Sequence, residues 1–141
     1  MRLANRLFLD TSFTLAGLAP EDHHHAQALA LADNVKHRRI SLVTTYAVLL
    51  EIGDALSGTR HRHRASDILS SLEADATVQI VEITESLYRR ALGLYRSRPD
   101  KEWGLTDCVS FMVMQDLGIT DALTADRHFE QAGFTALLRV G

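Results

Sequence analysis

Residues Trp103 to Phe129, WGLTDCVSFMVMQDLGITDALTADRHF, decide the fold. Asp107 stands at the start of Cys108-Val109-Ser110-Phe111-Met112-Val113-Met114, a run that is apolar on nearly every side of a helix. A helix of that kind is buried rather than laid on the surface. Its N-terminus, with Asp107, is therefore expected to open into a cleft or interface. Gly118 is a natural stop, because glycine takes the left-handed conformation that ends helices. Ala122-Leu123-Thr124 then reads as a short strand, with Asp126 after it. Met112 and Met114 need no role beyond filling core, and Cys108 is expected to be buried and inert.

The same alternation of strand and helix runs through the rest of the chain. Upstream, Arg6 to Asp10 reads as a short buried strand and Thr11 to Leu18 as a short helix. A long helix is expected from His23 to Arg39, with His23-His24-His25 as its first turn. Ile40 to Thr44 is a second strand. Thr45 can cap a helix from Tyr46 to Leu56. Another helix runs from His61 to Ala74, and Val78 to Ile83 alternates as a strand does. Thr84 caps Glu85 to Arg98, and Pro99 stops that helix. Thr106 is the expected cap of the helix Asp107 to Leu117. Downstream, a short helix, Arg127 to Ala132, precedes a last strand, Phe134 to Val140. Strands alternating with helices imply an α/β sandwich on a mainly parallel sheet, here as one domain over residues 1–141.

Composition narrows the function classes. The chain has 141 residues, of which 46% are hydrophobic and 23% charged, as in a globular domain with a real core. No apolar run is long enough to cross a bilayer, and the N-terminus lacks a signal-peptide pattern. A single cysteine excludes an intrachain disulfide and a multi-thiolate zinc site. A cytoplasmic location is the expectation. The net charge of −3 argues against simple electrostatic binding of nucleic acid. The bases are nearly all arginine, Lys36 and Lys101 being the only lysines, and arginine suits bidentate contact with phosphate. No glycine-rich phosphate loop is present.

Four acids stand out by place: Asp10 after the first strand, Glu51 inside a middle helix, Asp107 at the buried helix start and Asp126 after the late strand. Each has an ordinary structural reading. Asp10 and Asp126 can cap helices, Asp107 complements a helix dipole, and Glu51 can be a solvated helix residue with Asp54 as its rival one turn on. Ligands of open α/β sheets bind beyond the carboxyl ends of the strands, where Asp10 and Asp126 sit. Two carboxylates about 5 Å apart repel by about 3 kcal/mol at an effective dielectric near 20. A hard divalent cation such as Mg²⁺ or Mn²⁺ offsets that repulsion and prefers oxygen ligands. Such a site can make hydroxide available and stabilise charge on a phosphodiester.

Four stretches in this order resemble the PIN-domain ribonucleases: Leu9-Asp10-Thr11-Ser12, Glu51 within LLEIGDAL, Thr106-Asp107 leading Cys108-Val109-Ser110-Phe111, and Leu123-Thr124-Ala125-Asp126-Arg127-His128-Phe129. The resemblance spans nearly the whole chain. It implies a three-layer α/β/α fold and a Mg²⁺- or Mn²⁺-dependent endoribonuclease. Asp10, Glu51, Asp107 and Asp126 match the family's acids, and Ser12 and Thr106 match its supporting hydroxyls. It is most similar to the VapC-type toxins, which implies an RNA substrate, a small antitoxin partner and a homodimer. A PIN nuclease of RNA processing without a toxin role, and a silent PIN-like RNA- or protein-binding module, are the alternatives.

Other features have both a plain and a functional reading. Arg60, Arg62 and Arg64 form the densest basic run, either a solvated helix start or a contact for the RNA backbone. His128 can touch substrate or pack beside Asp126. Trp103 can stack a base or anchor its loop. A phosphotransfer hydrolase would carry a second acid where Ser12 stands, and a receiver-type signalling domain would need a lysine after a late strand, where neither Lys36 nor Lys101 falls.

Overall fold

Leu7, Phe8 and Leu9 are buried without alternation, as befits a strand covered on both faces. They lie in β1 (Arg6–Leu9), the centre of a five-stranded sheet in the computed structural model, which describes residues 2–140. The sheet runs β3-β2-β1-β4-β5 and every pairing is parallel. The strands are β2 (Ser41–Thr45), β3 (Val78–Val81), β4 (Asp121–Leu123) and β5 (Thr135–Ala136). Register places Phe8 between Val43 and Ala122, and Leu9 beside Leu123.

Helices supply the parallel crossovers. They are α1 (Thr11–Leu18), α2 (His25–His37), α3 (Tyr46–Ala55), α4 (Arg62–Ala74), α5 (Glu85–Ser97), α6 (Leu105–Leu117) and α7 (Arg127–Gln131). Leu7, Leu9 and Leu123 pack with Phe13 and Ala16 of α1 and Ala28, Leu31 and Val35 of α2. Phe8, Val43 and Ala122 point the other way, into a core with Ile52 of α3, Ala91 of α5, Phe111 and Met114 of α6 and Phe129 of α7. The result is the expected three-layer α/β/α sandwich. Among the described residues no helix is long and apolar enough to cross a membrane.

Three sequence expectations need correction. The cap of α6 is Gly104, two residues before Thr106, and Asp107 reaches back to the Gly104 N–H at 3.0 Å. The helix thus starts earlier, with Asp107 in its first turn supplying the side-chain acceptor for the N–H of its cap residue. The last strand is only Thr135–Ala136, because β4 offers a short edge; a 3₁₀ turn, Leu137–Arg139, follows. That turn lets consecutive Leu137 and Leu138 both enter the core, and Leu138 N–H donates to the Thr124 carbonyl at 3.1 Å. His23 and His24 precede α2 instead of forming its first turn. Thr45 and Thr84 cap as expected, accepting from Val48 and Leu87 N–H, and Gly118 ends α6 at φ +67°. Trp103 is buried against Phe111 and donates Nε1–H to Gln131, so it anchors its loop.

Candidate active site

The winding of the sheet reverses at β1. β2 and β3 extend it to one side, and β4 and β5 to the other. A crevice opens beyond the carboxyl ends of the strands at such a reversal. Asp10 leaves β1 there, and its N–H donates to the Leu123 carbonyl at the end of β4, 3.2 Å away. Asp126 leaves β4 three residues past that carbonyl. Glu51 comes from α3 and Asp107 from the start of α6. All four line one open cleft of about 460 Å³, with Thr11, Ser12, Leu15, Asp54 and Ala55.

Hydroxyls and N–H groups fix each acid. Asp10, only 6% exposed, accepts from Thr124 Oγ1 at 2.7 Å and Ser12 Oγ at 3.1 Å, both on Oδ2. Thr11 Oγ1 instead crosses to Glu51 Oε1 at 2.9 Å, tying α1 to α3. Asp126 Oδ1 accepts from His128 N–H at 2.8 Å, so the acid also caps α7. Asp107 Oδ2 accepts from Gly104 N–H at 3.0 Å and faces His128 Nδ1, also at 3.0 Å. Thr124 and Ser12 are themselves locked. Thr124 Oγ1 lies 3.0 Å from Ser12 Oγ and accepts from Asp126 N–H, while Ser12 Oγ accepts from Ala125 N–H. Side-chain donors thus reach Oδ2 of Asp10, Oε1 of Glu51 and Oδ2 of Asp107, and a backbone N–H reaches Oδ1 of Asp126.

The electrostatics are those of a site awaiting positive charge. Among the described residues no lysine or arginine forms an ion pair with any of the four acids. Burial raises the Asp10 carboxyl to about 6, against the pull of Thr124 and the Thr11 backbone, with the Asp107 charge adding to the rise. Burial also raises Glu51, and Thr11 opposes it while the charges of Asp107, Asp126 and Asp54 reinforce it. Asp107 is raised by burial first and by Asp126, against Gly104 and His128. The donor set is oxygen-rich and anionic, which fits a hard divalent cation. One ligand atom each from Asp107, Asp126 and His128 come within 4.8 Å of one another. The Cys108 thiol is pushed up to about 11 by burial and is no nucleophile.

The remaining sequence candidates divide. Ser12 bonds to an acid; Thr106 makes no hydrogen bond to any of them. Thr124 takes the supporting place that sequence reading gave to Thr106. Its signal was a hydroxyl at the end of β4, two residues before Asp126. His128 is turned into the acid cluster, with Nδ1 also 3.4 Å from Asp126 Oδ1. Arg60, Arg62 and Arg64 are exposed at the start of α4. Arg62 donates to the Ser57 carbonyl at 2.7 Å and lines a 530 Å³ groove between α3 and α4. Asp54 lines both that groove and the acid cleft, so the groove that holds Arg62 adjoins the acids, whereas Arg60 and Arg64 line neither.

Known proteins are similar to this chain in sequence and fold. Residues 7–135 match the PIN domain family. The chain is 29% identical over 128 residues to the 23S rRNA-specific endonuclease VapC20 of Mycobacterium tuberculosis, in strains CDC 1551 / Oshkosh and ATCC 25618 / H37Rv. That match covers 91% of this chain and 95% of the relative. The crystal structure of M. tuberculosis VapC20, described as a Sarcin-Ricin loop cleaving toxin, superposes with a TM-score of 0.78 at 28% identity. It covers 92% of this chain and 96% of that one. With the family pattern running from β1 into β5, this chain belongs to the PIN domain family.

Proposed function

We propose that this chain is a Mg²⁺- or Mn²⁺-dependent endoribonuclease and the toxin of a toxin–antitoxin pair. The observation that carries the reading is the convergence of Asp10, Glu51, Asp107 and Asp126 in one cleft where, among the described residues, no lysine or arginine pairs with them. Unpaired acids gathered at a sheet end are costly unless a cation joins them. The likeness to an rRNA-specific endonuclease over most of the chain supports RNA as the substrate. A looped ribosomal RNA is the first substrate to test. Residues 1–141 are read as one nuclease domain acting in the cytoplasm, with a small antitoxin and a second copy of the chain as partners.

Asp10, Asp107 and Asp126 would hold the cation, with Glu51 beside them. The cation supplies Lewis acidity to a phosphodiester and makes hydroxide available at neutral pH. The chain's own residues do the rest. Thr124 and Ser12 hold Asp10, Thr11 holds Glu51, and the start of α6 holds Asp107. Arg60, Arg62 and Arg64 are read as contacts for the RNA backbone, supported by Arg62 in the groove that shares Asp54 with the acid cleft, and their contribution would weaken with salt.

Purified chain should cleave looped RNA with Mn²⁺ or Mg²⁺, stop with EDTA and resume when metal is restored. Cleavage that persists in EDTA would remove the metal reading. Absence of cleavage by a folded, Mn²⁺-binding chain would favour a silent binding module. Expression from the native operon should co-purify a small antitoxin. A chain that is harmless to its host when expressed alone would count against the toxin role while leaving the nuclease intact.

A further inference from the structure

We infer that His128 is a positioning residue of the acid cluster: its ring N–H holds Asp107 and its backbone N–H holds Asp126, each by one oxygen, which leaves the other oxygen of each for the cation. The inference rests on the metal site of the proposed function and adds a residue to it.

A carboxylate only accepts hydrogen bonds. The 3.0 Å contact between His128 Nδ1 and Asp107 Oδ2 therefore places the proton on Nδ1. The same nitrogen lies 3.4 Å from Asp126 Oδ1, between two acids that repel each other. His128 also gives its backbone N–H to Asp126 Oδ1 at 2.8 Å. One residue thus grips both acids, one through its ring and the other through its backbone.

The choice of oxygens is informative. Asp107 Oδ2 is already held by Gly104 N–H, and Asp126 Oδ1 by the His128 backbone. The ring adds its donor to Asp107 Oδ2, and among the described residues Asp107 Oδ1 and Asp126 Oδ2 receive no hydrogen bond. As a ligand, Nδ1 would have to give up its proton and its bond to Asp107. Outer partners that orient ligating carboxylates in this way are a general feature of metal sites. The grip is itself rigid, because neighbouring Phe129 is fully buried, with its ring 5.0 Å from Phe111 and 6.2 Å from Phe8 between centroids.

Mn²⁺ titration calorimetry on the whole chain tests the inference, with Mn²⁺ electron paramagnetic resonance beside it. H128L, which keeps bulk without the N–H, should bind Mn²⁺ about ten- to a hundredfold more weakly. H128N, whose amide can donate from near the Nδ1 position, should recover most of that loss. The parental chain should show no nitrogen hyperfine coupling to bound Mn²⁺. Parental affinity in folded H128L overturns the inference and leaves the nuclease reading standing. Nitrogen coupling in the parental chain also overturns it, by making His128 a direct ligand, and needs no variant to fold. His128-dependent Mn²⁺ binding without RNA cleavage would support the inference and remove the nuclease reading. A parental chain that binds no Mn²⁺ overturns both.

Discussion

Helix α6 carries an aspartate near each end, and the two live in opposite surroundings. Asp116, near the C-terminal end, is exposed and meets the guanidinium of Arg90 with both oxygens, at 2.6 and 2.7 Å. That contact holds its carboxyl below the usual range and ties α6 to α5. Asp107, in the first turn, has no arginine or lysine, and burial pushes its carboxyl up. Its neighbours are N–H donors that fix its direction without cancelling its charge. An acid placed for stability receives a cation from the protein. Asp107 receives orientation but no compensating lysine or arginine among the described residues, which supports its proposed place in a metal site.

Breaking the metal end should have the largest effect. D107N keeps an oxygen for the Gly104 N–H but loses the charge, and RNA cleavage should fall about a thousandfold or more, as expected when several kcal/mol of Lewis-acid stabilisation is lost. Single-turnover cleavage measures this. A folded D107N that cleaves at the parental rate would show that Asp107 is no more functional than Asp116.

Asp10 gives the next largest effect, and it concerns stability. Its carboxyl, raised from 3.8 to about 6, binds a proton more tightly in the folded chain than in the unfolded one. The metal-free protein should therefore keep this contribution at low pH and lose it as pH rises from about 4 to about 6, by about 3 kcal/mol in all. D10N removes that dependence, so metal-free D10N should be the more stable protein at neutral pH. Urea unfolding of both proteins across this window checks the sign. Mn²⁺ should narrow the gap by stabilising the parental chain, and its binding should strengthen as pH rises through about 6.

T124V sharpens the comparison at a smaller scale. It removes the 2.7 Å bond to Asp10 while preserving shape, and Mn²⁺ affinity should fall about ten- to a hundredfold. Calorimetry with unchanged affinity would demote Thr124 to packing. D116N should do least, leaving cleavage at the parental rate and shifting the melting temperature less than D10N does. A loss of cleavage in D116N would break the division between the two ends of α6.

The division was half legible in sequence. The unbroken apolar faces of Leu7-Phe8-Leu9 and of α6 announce burial on both sides, which is why the layers and the parallel sheet follow from pattern alone. Asp10 was conspicuous because it directly follows an apolar strand, and Asp126 because it comes three residues after one. The hydroxyl network was less so. Ser12 was identifiable as a support for Asp10 because it is local. Thr11 crossing to Glu51 and Thr124 crossing to Asp10 depend on packing and register between segments far apart. Helix ends were blurred for a local reason: Gly104 and Thr106 are both acceptable caps, and only the Asp107 contact with Gly104 N–H selects between them. His128 read as a substrate contact or as a group packed beside Asp126, since nothing in its neighbours tells that α7 turns it onto Asp107.

Thr124 and Asp10 are 114 residues apart, yet they share the shortest hydrogen bond to any of the four acids. β4 must pair alongside β1 before that bond can form. A contact between such distant segments comes at a high entropic cost and forms slowly. On a growing chain, Asp10 and Glu51 emerge long before the strand that completes their cleft. The acid cleft is therefore incomplete on a half-made polypeptide: Asp10 and Glu51 are present, but Asp126 and the Thr124 bond to Asp10 come only with β4.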